Sequence, residues 1–199
     1  MWIGFYVITL LAIIGLANYY TNEIGEAYYE SEKKIDKIFD IVHEYTPDLH
    51  QFELAVNILP LLLLGSLIFL PNGKSLLIEF AGKYILLHLI RSLTIISTIL
   101  PKHEQCTRNK SIFRKVLGDC YDKVFSGHTA LVFLMTLILV REGYLSTLQL
   151  VLLNLLESSI ILLTRSHYTI DVILAYFITY LVYDGDYHIF TNFTKKLKL

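Results

Sequence analysis

Apolar residues gather into six windows close to the length that crosses a bilayer, at 2–19, 54–70, 75–100, 124–140, 143–164 and 167–183. The first twenty-two residues carry no charge, and at 1.5 Å rise per residue they reach across about 30 Å of hydrocarbon. With no basic segment ahead of it and an apolar run longer than a cleaved leader uses, this stretch predicts a retained first helix. Between the first two windows lies an acidic connection in which Ile35, Ile38, Phe39 and Val42 fall at i, i+3, i+4 and i+7. That spacing predicts a short amphipathic helix on the membrane surface, ended near Pro47. The expected fold is all-α, an integral membrane bundle of six transmembrane helices in one domain over 1–199. Its parts are a first span (1–22), the acidic loop (23–53), a five-span catalytic region (54–183) and a polar tail (184–199).

Composition agrees with that pattern. The chain is 54% hydrophobic, with mean hydropathy +0.53, against an apolar share of about 45 to 50% in ordinary soluble domains. A net charge of −1 gives no footprint for nucleic acid. Cys106 and Cys120 are too few for a disulfide framework and lack zinc-site spacing, although they can form one bridge in an oxidising lumen. With a cytosolic N-terminus, the end of the third span, the start of the fourth, the end of the fifth and the start of the sixth share one membrane face. The acidic first loop then lies outside, as the positive-inside rule favours, whereas the net basic loop around "PKHEQCTRNKSIFRKVLGDCYDK" runs against it. Sequons at Asn109 and Asn192 offer a test, since a lumenal third loop allows glycosylation at Asn109 and forbids it at Asn192.

The ionisable residues of the apolar windows collect on that shared face. Because such groups cost several kcal/mol in hydrocarbon, each marks a functional hypothesis. The sixth window opens "HYTID", with His167 and Asp171 four apart, so the carboxylate can fix the imidazole tautomer and leave the other nitrogen free to attack. A purely structural hydrogen-bonded pair is the alternative. The fourth opens "FSGHT": Ser126 and Gly127 precede a helix start with free N–H groups suited to phosphate, and His128 is placed to donate a proton. The third carries Arg91, Thr94 and Thr98 on one polar stripe, with His88 a turn earlier, as candidate phosphate or headgroup ligands. Glu157, at similar depth in the fifth, is the expected structural partner of Arg91. Glu79 and Lys83 read as an ordinary surface pair. No metal or other cofactor is implied, because no further ligands converge.

Three segments in order, "RSLTIISTILP", "CYDKVFSGHT" and "HYTIDVILAY", resemble the sphingomyelin synthase-like branch of the type 2 phosphatidic acid phosphatase (PAP2) superfamily, over about 75–183. The resemblance implies a six-span enzyme with a lumenal or exoplasmic site. It would move a phospho-headgroup (phosphocholine, phosphoethanolamine or phosphoinositol) from a phospholipid donor to a ceramide acceptor, releasing diacylglycerol. His167 becomes the nucleophile, Asp171 its activating carboxylate and His128 the general acid, with Asp122 orienting His128. Cys106 and Cys120 match the family's pair flanking this loop, which supports lumenal placement in endoplasmic reticulum, Golgi or plasma membrane. The third loop is shorter than in the animal enzymes, and neither an SR-x5-H spacing nor an upstream K-x6-RP segment of the phosphatase branch is present. Lipid phosphate hydrolysis is the second reading, and non-catalytic lipid binding the third.

Overall fold

The computed structural model describes residues 2–31, 38–102, 106 and 120–185. Among these it is all-helical, with seven α-helices: α1 (Trp2–Ser31), α2 (Ile41–Tyr45), α3 (Ile58–Ser66), α4 (Gly73–Ser97), α5 (Gly127–Arg141), α6 (Thr147–Leu163) and α7 (Thr169–Asp184). A 3-10 segment, His50–Asn57, leads into α3, and another, Leu67–Phe69, leaves it. Pro60 falls in the first turn of α3, where its missing N–H has no intrahelical acceptor to serve.

Two helical runs, Val7–Tyr29 and His50–Phe69, are long and apolar enough to cross a membrane, and α5 and α6 are shorter apolar helices. Helix α5 packs against α3, α4, α6 and α7, and α1 lies along α4. Apolar almost all round, α5 buries Val132, Leu134, Met135, Ile138 and Leu139 in the main core. Helix α6 is inverted relative to a soluble helix: Leu148, Val151, Leu152, Leu155 and Leu156 are exposed, while Asn154 and Glu157 are buried. Ile170, Ile173, Phe177 and Leu181 repeat that outward apolar face on α7. Polar inside and apolar outside is the arrangement of a membrane protein, whose solvent is hydrocarbon.

Three boundaries differ from the sequence-based expectation. Helix α1 continues to Ser31, well past residue 19, because Glu23 and Glu26 lie on good helix-forming positions and nothing breaks the run. Of the expected amphipathic helix, the described residues hold the five of α2: Asp40 caps it, accepting from the N–H groups of Val42 and His43, so Ile38 and Phe39 precede that helix. Ile35, the two sequons and the terminal lysines lie outside the described residues. Finally, α7 begins at Thr169, which places His167 before the helix and not on its face.

Candidate active site

The site forms at one end of the bundle, where the C-terminus of α4, the N-terminus of α5, the loop after α6 and the start of α7 meet. Its framework is the segment 120–126. Arg91, buried near the end of α4, donates from Nε to the Phe125 carbonyl (3.1 Å) and from Nη1 to Asn18 Oδ1 (2.9 Å). Its Nη2 donates to Asp122 twice, to the backbone oxygen at 2.9 Å and to Oδ2 at 2.6 Å. A guanidinium has five N–H donors, and four of them are engaged among the described residues. Burial alone would push the Asp122 carboxyl up, but the Arg91 guanidinium, with Lys123 and His167 behind it, holds it below its ordinary value.

The C-terminal half of α1 completes the clamp. Asn22 Oδ1 accepts the Tyr121 N–H (3.0 Å), Tyr29 stacks on the Tyr121 ring, and Gly25 lets that ring lie across the helix. A Cβ at Gly25 would sit 2.6 Å from the ring, so glycine is what allows the close approach. A disulfide joins Cys106 to Cys120 at the start of the same segment.

Asp171 ties the two histidine-bearing segments together. Oδ2 accepts from the Tyr168 N–H (3.0 Å) and lies 3.1 Å from His167 Nδ1, while Oδ1 accepts from the Val124 N–H (2.9 Å). The Ser126 N–H donates to the Asp171 carbonyl (3.2 Å). Asp171 is the third residue of α7, where a carboxylate reaches back to free N–H groups and suits the positive helix end. His167 therefore meets Asp171 as a residue ahead of the helix, held by a cap. Val124 pays for this geometry with φ 70°, an uncommon conformation for a β-branched residue.

The backbone of His167 is fixed from both sides. His43 Nε2 lies 3.1 Å from its carbonyl oxygen, and Lys123 Nζ donates to the carbonyl of Ser166. Arg165, at φ 59°, donates to the carbonyls of His43 and Thr46 and to Thr46 Oγ1. Asp40 accepts from Thr169 N–H (2.7 Å) and Thr169 Oγ1 (2.8 Å), which binds the acidic connection to the start of α7. Burial would raise the Asp40 carboxyl, but hydrogen bonds from Thr169 and His43 bring it below its ordinary value.

His128, in the first turn of α5, has Nε2 3.1 Å from Asn57 Oδ1. Both histidines line a cavity of about 480 Å³ whose wall also includes Arg91, Asp122, Lys123 and Gly127. The nitrogen of His167 not engaged by Asp171 is Nε2, so the cavity gathers an imidazole nitrogen without a partner among the described residues, a second imidazole and a buried guanidinium.

Several sequence-based expectations require correction. Arg91 pairs with Asp122 and not with Glu157, because the 120–126 segment folds back onto the end of α4. Glu157 is fully buried, and among the described residues neither carboxylate oxygen has a hydrogen-bond partner. Asp122, spent on Arg91, does not orient His128; Asn57 is the residue in contact. Thr94 bonds its own helix at the Arg91 carbonyl and Thr98 is the exposed residue that ends α4, so neither lines the cavity. The α4 stripe facing the cavity runs the other way, through Tyr84, His88 and Arg91, since helical side chains lean toward the N-terminus. Ser126 is the α5 cap, accepting from Thr129 N–H (3.3 Å). A Cβ at Gly127 would sit 3.7 Å from His88 Nε2, an ordinary contact, so that glycine leaves room in the cavity without being required by packing. Lys83 and Glu79 do pair (3.5 Å), and Arg141 joins them at the opposite end of the bundle with two 2.7 Å bonds.

Asn57, Asp40 and His43 were not singled out from the sequence. Their one visible signal is polarity beside an apolar window, which many surface residues share.

Residues 119–189 match the family model described as PAP2 superfamily C-terminal. The match supports membership of the PAP2 superfamily. It spans His128, His167 and Asp171, with Asp122 and Lys123, and stops short of Arg91. PAP2 superfamily members are phosphoryl-transfer enzymes, which supports a lipid phospho-enzyme. No curated protein matches the chain significantly.

Proposed function

We propose that the protein is a six-span membrane transferase that moves a phospho-headgroup from a glycerophospholipid to ceramide through His167. The observation that carries this reading is the 3.1 Å contact of His167 Nδ1 with Asp171 Oδ2 beside His128 in one cavity. Asp171 keeps the proton on Nδ1, so Nε2 holds its lone pair toward phosphorus. In the first step the N–P bond forms as the P–O bond to diacylglycerol breaks, and His128 delivers a proton to the departing alkoxide. In the second, His128 takes the proton of the ceramide hydroxyl, the new P–O bond forms and the N–P bond breaks. The Arg91 guanidinium and the α5 N-terminus at Gly127, both lining the cavity, would hold the phosphoryl oxygens. The disulfide supports a lumenal or exoplasmic location, because such bonds persist in oxidising compartments.

The polar wall formed by His50, Glu53 and Lys123 favours a second reading, hydrolysis, since it would let water reach the phosphorylated histidine. Purified protein incubated with headgroup-labelled phospholipid, with and without ceramide, separates the two. Label should pass to ceramide; release of free headgroup phosphate at the same rate regardless of ceramide would overturn the transferase reading.

A further inference from the structure

The cavity contains an acid that the proposed phosphoryl chemistry does not use. Glu53 belongs to the 3-10 segment His50–Asn57, four residues before the Asn57 that contacts His128. At about 2.0 Å rise per residue it stands about 8 Å along the segment from Asn57. A phosphate ester with a two-carbon amine arm bridges such a separation. The other lining carboxylate, Asp122, is spent on Arg91 at 2.6 Å. Glu53 meets His50 Nε2 at 3.9 Å, beyond hydrogen-bond distance, and its side chain is 39% exposed. Lys123, the neighbouring cation, donates instead to the Ser166 carbonyl. The wall thus holds Arg91, Lys123 and Arg165 as cations, with one carboxylate whose oxygens accept no hydrogen bond among the described residues.

Resting on the phosphotransfer reading, we propose that Glu53 is a specificity residue that faces the ammonium of the donor headgroup. The site would then take phosphate esters with a choline or ethanolamine arm in preference to the uncharged ring of inositol. The phosphate meets the histidine and arginine side of the cavity, and the ammonium meets Glu53. A partly exposed ion pair of this kind supports a preference of about two- to fivefold.

The test uses the full chain in nanodiscs and equilibrium binding of phosphocholine, phosphoethanolamine and inositol phosphate. The wild type should bind the two amines about two- to fivefold tighter than inositol phosphate. Glu53→Gln should abolish that preference by weakening the amines alone, and Glu53→Asp should retain it. No preference in the wild type, or an equal weakening of all three ligands in Glu53→Gln, would overturn the proposal, the latter marking a structural role. Diacylglycerol release from phosphatidylcholine and phosphatidylinositol is measured alongside. An amine preference lost in Glu53→Gln, without diacylglycerol release from any donor, upholds headgroup recognition and removes the phosphotransfer reading. Release with an unchanged donor ratio in Glu53→Gln does the reverse.

Discussion

Replacing Asp171 with Asn tests the site at the residue that links its halves. Asp171 accepts three contacts, from His167 Nδ1, the Tyr168 N–H and the Val124 N–H, at 3.1, 3.0 and 2.9 Å. An amide has one acceptor oxygen and one NH2. With the NH2 in the Oδ2 place it faces the Tyr168 N–H and forces His167 Nδ1 to accept, which moves the imidazole proton to Nε2 and removes the nucleophile. With the NH2 in the Oδ1 place, the Val124 N–H is left without an acceptor and His167 loses its charged partner. Either way, one buried donor goes unsatisfied at about 1–3 kcal/mol and the remaining bonds lose charge assistance, for a total of about 2–4 kcal/mol in stability. The rate should fall further, by about 10²- to 10⁴-fold, because tautomer and orientation fail together. Initial rates of headgroup transfer, measured below the melting temperature of the variant, separate the two effects. Transfer within about threefold of wild type, with stability lost as expected, would refute the chemical role and leave Asp171 as a structural tie.

Three further changes probe the surrounding framework. Asn57→Ala should lower the transfer rate about tenfold with little change in donor KM, because His128 loses its contact at Nε2; steady-state kinetics reads the split. Asp122→Asn should cost about 3–5 kcal/mol, since Arg91 is left buried without its countercharge. The Asp122 carboxyl titrates below its ordinary value in the folded protein, so it contributes stability that is present above that value and lost as pH falls through the folded one; thermal unfolding from about pH 5 down to about pH 2 should show this acid loss in wild type and its reduction in the variant. Glu157→Gln should leave the melting temperature unchanged or raised, because the carboxylate has no partner to lose among the described residues, whereas a large drop would restore Glu157 as a countercharge.

The gathering of His128, His167, Asp171 and Arg91 at one end of the bundle was legible in the sequence because helices that alternate direction bring alternate ends together. The helical class was legible for the same reason, since windows of near-continuous apolar residues admit little else. Pairings across the fold were not. Counting residues along the spans puts Arg91 and Glu157 at similar depth, and depth alone chose the wrong partner, because the backbone of 120–126 turns back to offer Asp122 and the Phe125 carbonyl together. The reach of α1 to Tyr121 was hidden for a related reason: Asn22, Gly25 and Tyr29 fall beyond the apolar window, where hydropathy carries no signal, although helix periodicity continues. Thr98 was lost to the end of α4 at Ser97, and a stripe extrapolated past a helix end has no meaning. Asn57 could be found only once the 3-10 segment was seen to lie against the start of α5.

The measurement closest to the central claim is rapid quenching of the enzyme with headgroup-labelled phospholipid in the absence of ceramide, followed by mapping of the labelled peptide. The account predicts an acid-labile phospho-headgroup adduct on His167, discharged to ceramide on chase and absent in His167→Ala. Label on another residue, or transfer to ceramide by His167→Ala at the wild-type rate, would contradict it.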